Sequence, residues 1–325
     1  MRFYYSLILV LSFVITSCSE RDAVNNHDTT TDVYVGGQKD NRAVYWKNNQ
    51  IINLDDTGFN QSIVDSLVVK SQKVYVLGSG EYTDGANIYT HKLLWVNGVL
   101  TDLHQAYATN TSDVISIGGM AIIDSDLYIS GIIHDLSVTP NVYRLVYWKN
   151  GERTQVAELS DADYIITGMG WQEGVGHFSV THPTLESGMY VDGTFTAYTN
   201  TEDFGFFLGI NGLYVFGNKD GHPYYQKIGS DAVINPDTSG SFTKLSEFGS
   251  GIFALNGSKI YRNGTEDYYT ADQNLEDFQW ANNNLYTLEY SVSGGTNSYT
   301  VKQNGSQISQ SDFSNICTCL FVNIF

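Results

Sequence analysis

The side chains able to do chemistry in this sequence are mainly carboxylates, tyrosines and a few scattered histidines. Asp and Glu number 35 against 17 Lys and Arg, a formal net charge of −18 over 325 residues. Phosphate binding needs clustered Lys and Arg, so no nucleic-acid partner is expected. A mouth lined with carboxylates attracts a cation or a cationic partner instead. Two carboxyls set across a cleft could also hydrolyse a glycosidic bond. The histidines (His27, His91, His104, His134, His177, His182 and His222) show no metal-ligand spacing, so neither a metal nor another cofactor is expected. His177 replaces an apolar residue in a strand-like run and reads as a core histidine. There is no Gly-x-Ser-x-Gly elbow, His-Glu-x-x-His pair, phosphate-binding glycine loop or EF-hand loop. Gly168, Gly170 and Gly174 have the wrong spacing for a dinucleotide turn. They read as glycines that let strands crowd together.

The three cysteines divide into two kinds. Cys18 ends the stretch Ile15-Thr16-Ser17-Cys18, after Arg2 and an apolar run from Leu7 to Ile15 that is too short to span a bilayer. This resembles a bacterial lipobox, which implies cleavage of a signal peptide at 1–17 and acylation of Cys18. Residues 18–31 are then a lipidated N-terminus and polar tether. Glu20 and Asp22 resemble the acidic signals of some Gram-negative surface lipoproteins. The expected location is the outer membrane, facing either the surface or the periplasm. Cys317 and Cys319 are too close in sequence for an unstrained bridge. They are expected on one face of one strand, packed as small apolar groups.

What must position all of these is a repeat. An aromatic-rich strand, a tight turn and a return strand recur at Val44-Tyr45-Trp46-Lys47-Asn48-Asn49, Leu94-Trp95-Val96-Asn97-Gly98 and Val146-Tyr147-Trp148-Lys149-Asn150-Gly151. Weaker copies end at Asp192-Gly193, Asn263-Gly264 and Asn304-Gly305, and a degenerate one lies at 225–229. Asn-Gly accepts φ > 0 at both central positions, so each copy is a type I′ hairpin. A second strand precedes each hairpin, centred on Tyr34, Tyr75, Tyr128, Phe178, Tyr214, Phe253 and Tyr286, about 42 residues apart on average. A third apolar strand precedes most of these.

Four short strands, A to D, in about 42 residues match one blade of a β-propeller. The expectation is all-β: a seven-bladed β-propeller of four-stranded antiparallel blades, forming a single domain over 32–325. No helix is expected outside the signal peptide. The chain resembles uncharacterised bacterial secreted and lipoprotein β-propellers whose blades carry a Tyr-Trp-Lys-Asn-Gly hairpin. That resemblance covers 33 to about 310 and implies a fold and an envelope location, with no chemistry attached. The first repeat lacks strand A, and the apolar segment Ile316 to Ile324 fits that place, so the C-terminal strand is expected to complete blade 1.

Recognition on such a scaffold is expected at the face where the B–C and D–A connections gather, because only those vary in length. The longest B–C connections run from Ser79 to Thr90 and from Ile132 to Val142. They make Glu81, Tyr82, Asp84, Tyr89, His134 and Asp135 the candidate ligand-binding residues. Acidic residues of the D–A connections (Asp55, Asp56, Asp161, Asp163, Glu202, Asp203, Asp237, Glu276 and Asp277) are expected around the same axial mouth. Tyr82, Tyr89 and Tyr107 offer stacking faces. The reading is a monomeric, membrane-tethered binding or scaffolding module for a glycan, peptide or protein, rather than an enzyme. The alternative is a carboxylate-dependent glycoside hydrolase or lyase at the axial mouth.

Overall fold

The computed structural model describes residues 31–108, 114–198, 201–209, 211–230, 232–236, 238–270, 273–293, 296–309 and 316–324. Cys18, the 1–17 segment, most of the tether and Asp237 lie outside the described residues.

The hairpin asparagines explain the repeat. Asn48, Asn97, Asn150, Asn263 and Asn304 all have φ between 47° and 51°, a left-handed conformation that Asn tolerates better than most residues. In each, Oδ1 accepts from the backbone N–H that opens strand B of the same blade (Val33, Val74, Leu127, Ile252, Leu285) at 2.9–3.0 Å. The asparagine's own N–H returns a bond to that residue's carbonyl at 2.8–2.9 Å. The turn thus ties strand C to strand B as well as to strand D. The preceding lysine is structural too. Lys47 pairs with Asp32 at 2.6 Å and lies over the Tyr34 ring, and Lys149 pairs with Asp126 at 2.7 Å over Tyr128. Trp46, Trp95 and Trp148 are buried in the blade cores. The Trp, Lys and Asn of the Tyr-Trp-Lys-Asn-Gly signature are therefore occupied in holding their blades.

Seven four-stranded antiparallel sheets result, arranged as a seven-bladed β-propeller. Blade 2 runs Gln61–Lys70, Lys73–Asp84, Asn87–Val96 and Val99–Asp102; blade 3 runs Val114–Ile123, Asp126–Asp135, Val142–Lys149 and Glu152–Leu159. Blade 4 runs Ile165–Gln172, Val175–Thr181, Gly188–Val191 and Thr194–Ala197. Blades 5, 6 and 7 begin at Thr201–Gly209, Lys244–Phe248 and Asn274–Ala281. Blade 5 holds the degenerate repeat, and its strand D shrinks to Val233–Ile234. Apolar clusters fill the spaces within and between adjacent blades. Gly118 shows how tightly the inner strands approach: a Cβ there would lie 2.5 Å from Cβ of Ile166 in the next blade.

Blade 1 closes the ring. Its order is Ile316–Ile324, Thr31–Lys39, Arg42–Lys47, Gln50–Asn53. Side chains of blade 7 hold the backbone of the last strand: Gln279 accepts from Val322 N–H at 2.7 Å and Asp277 accepts from Leu320 N–H at 2.8 Å. On the other side, Thr318 donates to the Val64 carbonyl of blade 2 at 2.6 Å.

Four expectations need correction. Cys317 and Cys319 do not share a face: Cys317 packs with Leu320 and Val322 against blade 7, whereas Cys319 and Phe321 face the core between blades 1 and 2. Side-chain alternation is broken between them, much as β-bulges break it in the inner strands of blades 2, 3, 4, 5 and 7. Burial pushes both thiols up. Second, Ser79 to Thr90 is no loop. The ladder continues through Tyr82↔Tyr89 to Asp84↔Asn87, leaving residues 85–86 as the turn, because Tyr82, Thr83, Ile88, Tyr89 and Thr90 are strand-forming residues. Third, Leu103–Tyr107 is a short α-helix, α1, capped by Asp102, whose Oδ1 accepts from His104 N–H at 2.9 Å. Fourth, Glu202, Asp203, Glu276 and Asp277 lie within inner strands rather than in connections.

Candidate binding face

Strand direction alternates along each blade, so the A–B turns and the asparagine hairpins share one face and the B–C and D–A connections share the other. On the first face five hairpin asparagines are bonded within their own blades. The second face is irregular and carries the candidate residues.

In blade 2, Glu81, Tyr82, Asp84 and Tyr89 stand on one projecting hairpin. Tyr82 stacks on Tyr89 with centroids 5.3 Å apart, and meets Phe59 and His91 edge-on at 6.1 and 4.8 Å. Tyr89, Ile88 and Asp84 are exposed at the hairpin end. Glu81 accepts from Gln61. Beneath the hairpin lies a cavity of about 350 Å³, lined by Phe59, Tyr82, Leu100 and Asp102 among others. His91, from the third strand of the blade, meets Asp102 and His104 beside this cavity. His91 Nδ1 is 2.7 Å from Asp102 Oδ2, and its ring stacks on His104 at 4.5 Å. His104 Nδ1 accepts from Lys92 N–H at 3.0 Å. Burial and the neighbouring His91 hold the His104 pKa below its ordinary value. This donor set does not suit a metal: Asp102 already caps α1 and orients His91, and His104 Nδ1 is occupied by a backbone N–H.

In blade 3 Asp135 is bonded within its own blade, and His134 is packed with its Nε2 buried and unpartnered. Asp135 accepts from Arg144 at 2.7 Å, from Ser137 N–H at 3.0 Å and from the Ser137 hydroxyl at 2.5 Å. Those bonds, the serine's first and then the arginine's, hold its carboxyl down at about 2. His134 packs its ring on Tyr143 at 4.3 Å. One face of Tyr107 is already taken: it lies flat against Trp148 at 4.4 Å. His177 is buried, and burial holds its pKa down, as a core histidine requires.

Among the described residues, Asp55, Asp56 and Asp277 are each engaged by different partners. Asp55 closes a local turn onto Thr57, and Asp56 bonds Arg42 and Ser62. Asp277 binds Lys244 and the closing strand. Asp161 and Asp163 differ. They sit in the connection entering blade 4, beside His182 in that blade's B–C connection (residues 182–187), against a cleft of about 810 Å³. Sequence reasoning singled out Asp161 and Asp163 only among many acids and missed His182. The sole local signal is its place two residues before a run of turn-forming residues.

No protein-family model matches the sequence, and no curated protein does. Solved structures do. A prolyl endopeptidase is 14% identical with a TM-score of 0.50, over 84% of this chain and 50% of that one. A computationally designed protein, Ika8, is 14% identical with a TM-score of 0.46, over 78% and 76%. A mutant of Trypanosoma rangeli sialidase displaying trans-sialidase activity is 11% identical with a TM-score of 0.45, over 86% and 52%. The chain spans about half the length of the endopeptidase and sialidase chains. The likeness is one of fold alone.

Proposed function

We propose that the chain is a binding module of the bacterial cell envelope, acylated at Cys18 and held to the outer membrane of a Gram-negative cell through the 18–31 tether, whether on the surface or in the periplasm. Its propeller presents the B–C and D–A face to a glycan, peptide or protein. One observation carries this reading: the two faces differ, one built of short regular turns and the other bearing an exposed aromatic hairpin and two clefts. Tyr and exposed apolar groups on a rigid hairpin suit recognition, since their ordering costs little. Among the described residues no helix is long and apolar enough to cross a membrane.

The acidic groups of this face suit recognition of a cationic group, while among the described residues Glu276 alone has the raised carboxyl pKa that the hydrolase alternative needs. A glycosidase keeps one carboxyl protonated beside an ionised one. Here Asp55, Asp135 and Asp161 are all held below their ordinary values by hydrogen bonds. Glu276, which burial and Asp277 push up, lies on the inner strand of blade 7.

Replacing Cys18 with Ser is expected to abolish acylation and release the protein from membranes; an unchanged membrane fraction would remove the anchor. Glycan and peptide arrays, read beside product analysis, test the module. Tyr82→Ala should weaken capture of whatever ligand is found while leaving the melting temperature nearly unchanged. Turnover of an array ligand would restore the hydrolase alternative.

A further inference from the structure

We infer that the cleft between blades 3 and 4 binds a small organic ligand carrying a primary ammonium group with an oxygen acceptor on a neighbouring carbon. This deepens the binding reading and rests on it.

The inference begins with charge. One oxygen each of Asp161 and Asp163 and one nitrogen of His182 lie within 4.8 Å of one another. Backbone bonding from Asp163 holds the Asp161 carboxyl below its ordinary value. No lysine or arginine lines the cleft, and among the described residues no ion pair reaches Asp163. Two carboxylates this close, one of them (Asp163) lining a cavity without a counter-ion and the other beside it, favour a cation.

His182 decides which kind of cation. Its side chain is only 3% exposed. Nδ1 accepts from Thr184 N–H at 3.1 Å and Leu185 N–H at 2.8 Å. Nδ1 therefore carries no proton in this arrangement, and Nε2 does. The imidazole cannot serve as the counter-ion without breaking both backbone bonds. Nor can it ligate a metal through Nε2, because a ligating histidine donates its other N–H rather than accepting there. What remains is a buried Nε2–H with no hydrogen-bond partner, 3.7 Å from Asp161 and beyond bonding distance. Buried donors are nearly always satisfied, so this one points to a missing acceptor.

The ligand chemistry follows from that set. The carboxylates take the ammonium, and the Nε2–H takes an oxygen beside it. Tyr164, whose ring tilts against His182 at 4.7 Å, and Pro183 supply an apolar wall. A volume of about 810 Å³ is far larger than a bare ion needs and suits a small molecule or the end of a chain. Two sources share this chemistry: an amino sugar, and the free N-terminus of a peptide.

The test is calorimetric titration of the full-length protein with glucosamine and with alaninamide, each beside its N-acetyl counterpart, and with calcium. Saturable binding of either amine, absent for its N-acetyl form, is expected, and which amine binds identifies the source. Asp163→Asn, an exposed position, should weaken that binding roughly tenfold or more, as loss of a charged hydrogen bond does, with the thermal transition unmoved. The inference is overturned if neither amine binds, if acetylation makes no difference, if Asp163→Asn leaves the affinity unchanged, or if calcium alone binds at Asp163. An array ligand lost in Tyr82→Ala but kept in Asp163→Asn would leave the binding module standing and remove this cleft from it.

Discussion

Blades 2 and 4 each gather carboxylate and imidazole side chains on the same face, and the two gatherings are built oppositely. In blade 2 every oxygen of Asp102 is taken, one by the first turn of α1 and one by His91, and His104 is gripped by a backbone N–H. In blade 4 the imidazole is anchored through Nδ1 alone, its Nε2–H has no partner, and Asp163 faces a cleft. The same residue types thus serve a scaffold in one place and a pocket in the other. What separates them is the partner of each polar atom, which composition cannot reveal.

That comparison can be broken at several points. The largest effect is expected from Trp148→Ala. Trp148 is buried and carries Tyr107 against its ring, so α1 loses its floor. Removal of a buried tryptophan costs about 3–5 kcal/mol. Chemical denaturation should show this, and hydrogen exchange should rise in residues 103–107 while the blade 4 cleft stays protected. Equal loosening of both regions would show that the two are not independent.

Asp102→Ala comes next. It removes a helix cap and leaves His91 without its carboxylate, together about 2–3 kcal/mol. Urea denaturation should register a loss of that size, against a smaller one for Asp161→Asn, whose carboxamide oxygen can still accept from the Asp163 N–H. Similar losses in both would erase the distinction between scaffold and pocket.

A pH series sharpens the contrast within blade 3. The folded pKa of Asp135, about 2, lies below its unfolded value. Its contribution to stability is therefore complete above about pH 4 and is lost as pH falls toward 2. Asp135→Asn should flatten the stability profile between those limits; an unchanged acid limb would mean that the Arg144 and Ser137 bonds contribute nothing. The smallest effect is expected from Asp163→Asn, within about 0.5 kcal/mol of the parent. A loss above about 1 kcal/mol in the same denaturation would give that carboxylate a structural role and undo the comparison.

Much of the architecture was open to reading along the chain. The asparagine hairpins and the seven blades follow from bonds between residues close in sequence and from a two-residue period. The closing strand Ile316–Ile324, which bonds residues as far as 282 positions away, is legible only because the first repeat lacks a strand A. Turn chemistry and alternation are local, so they survive in one dimension. The degenerate repeat at 225–229 even marks the blade whose strand D is shortest. Where the reading failed, a locally ambiguous pattern was settled by neighbours. Residues 79–90 look like a loop through Gly80, Gly85 and Asn87, yet cross-strand pairs such as Tyr82 with Tyr89 extend the ladder. Cys317 and Cys319 have the spacing of a shared face, but the closing strand breaks alternation between them and sends them to different cores.

The binding face depended most on tertiary structure. Asp161 and Asp163 read like any other acids on a chain of this charge, and His182 like a stray histidine. Only the hairpin of Ile165–Gln172 with Val175–Thr181 brings residues some twenty positions apart to one end of blade 4. Whether a polar atom is spent or free depends on every neighbour that could bond it, and those neighbours arrive from other strands and connections. Hydrogen bonding within a turn is written in adjacent residues; the lack of a partner at a cleft is a property of the folded whole.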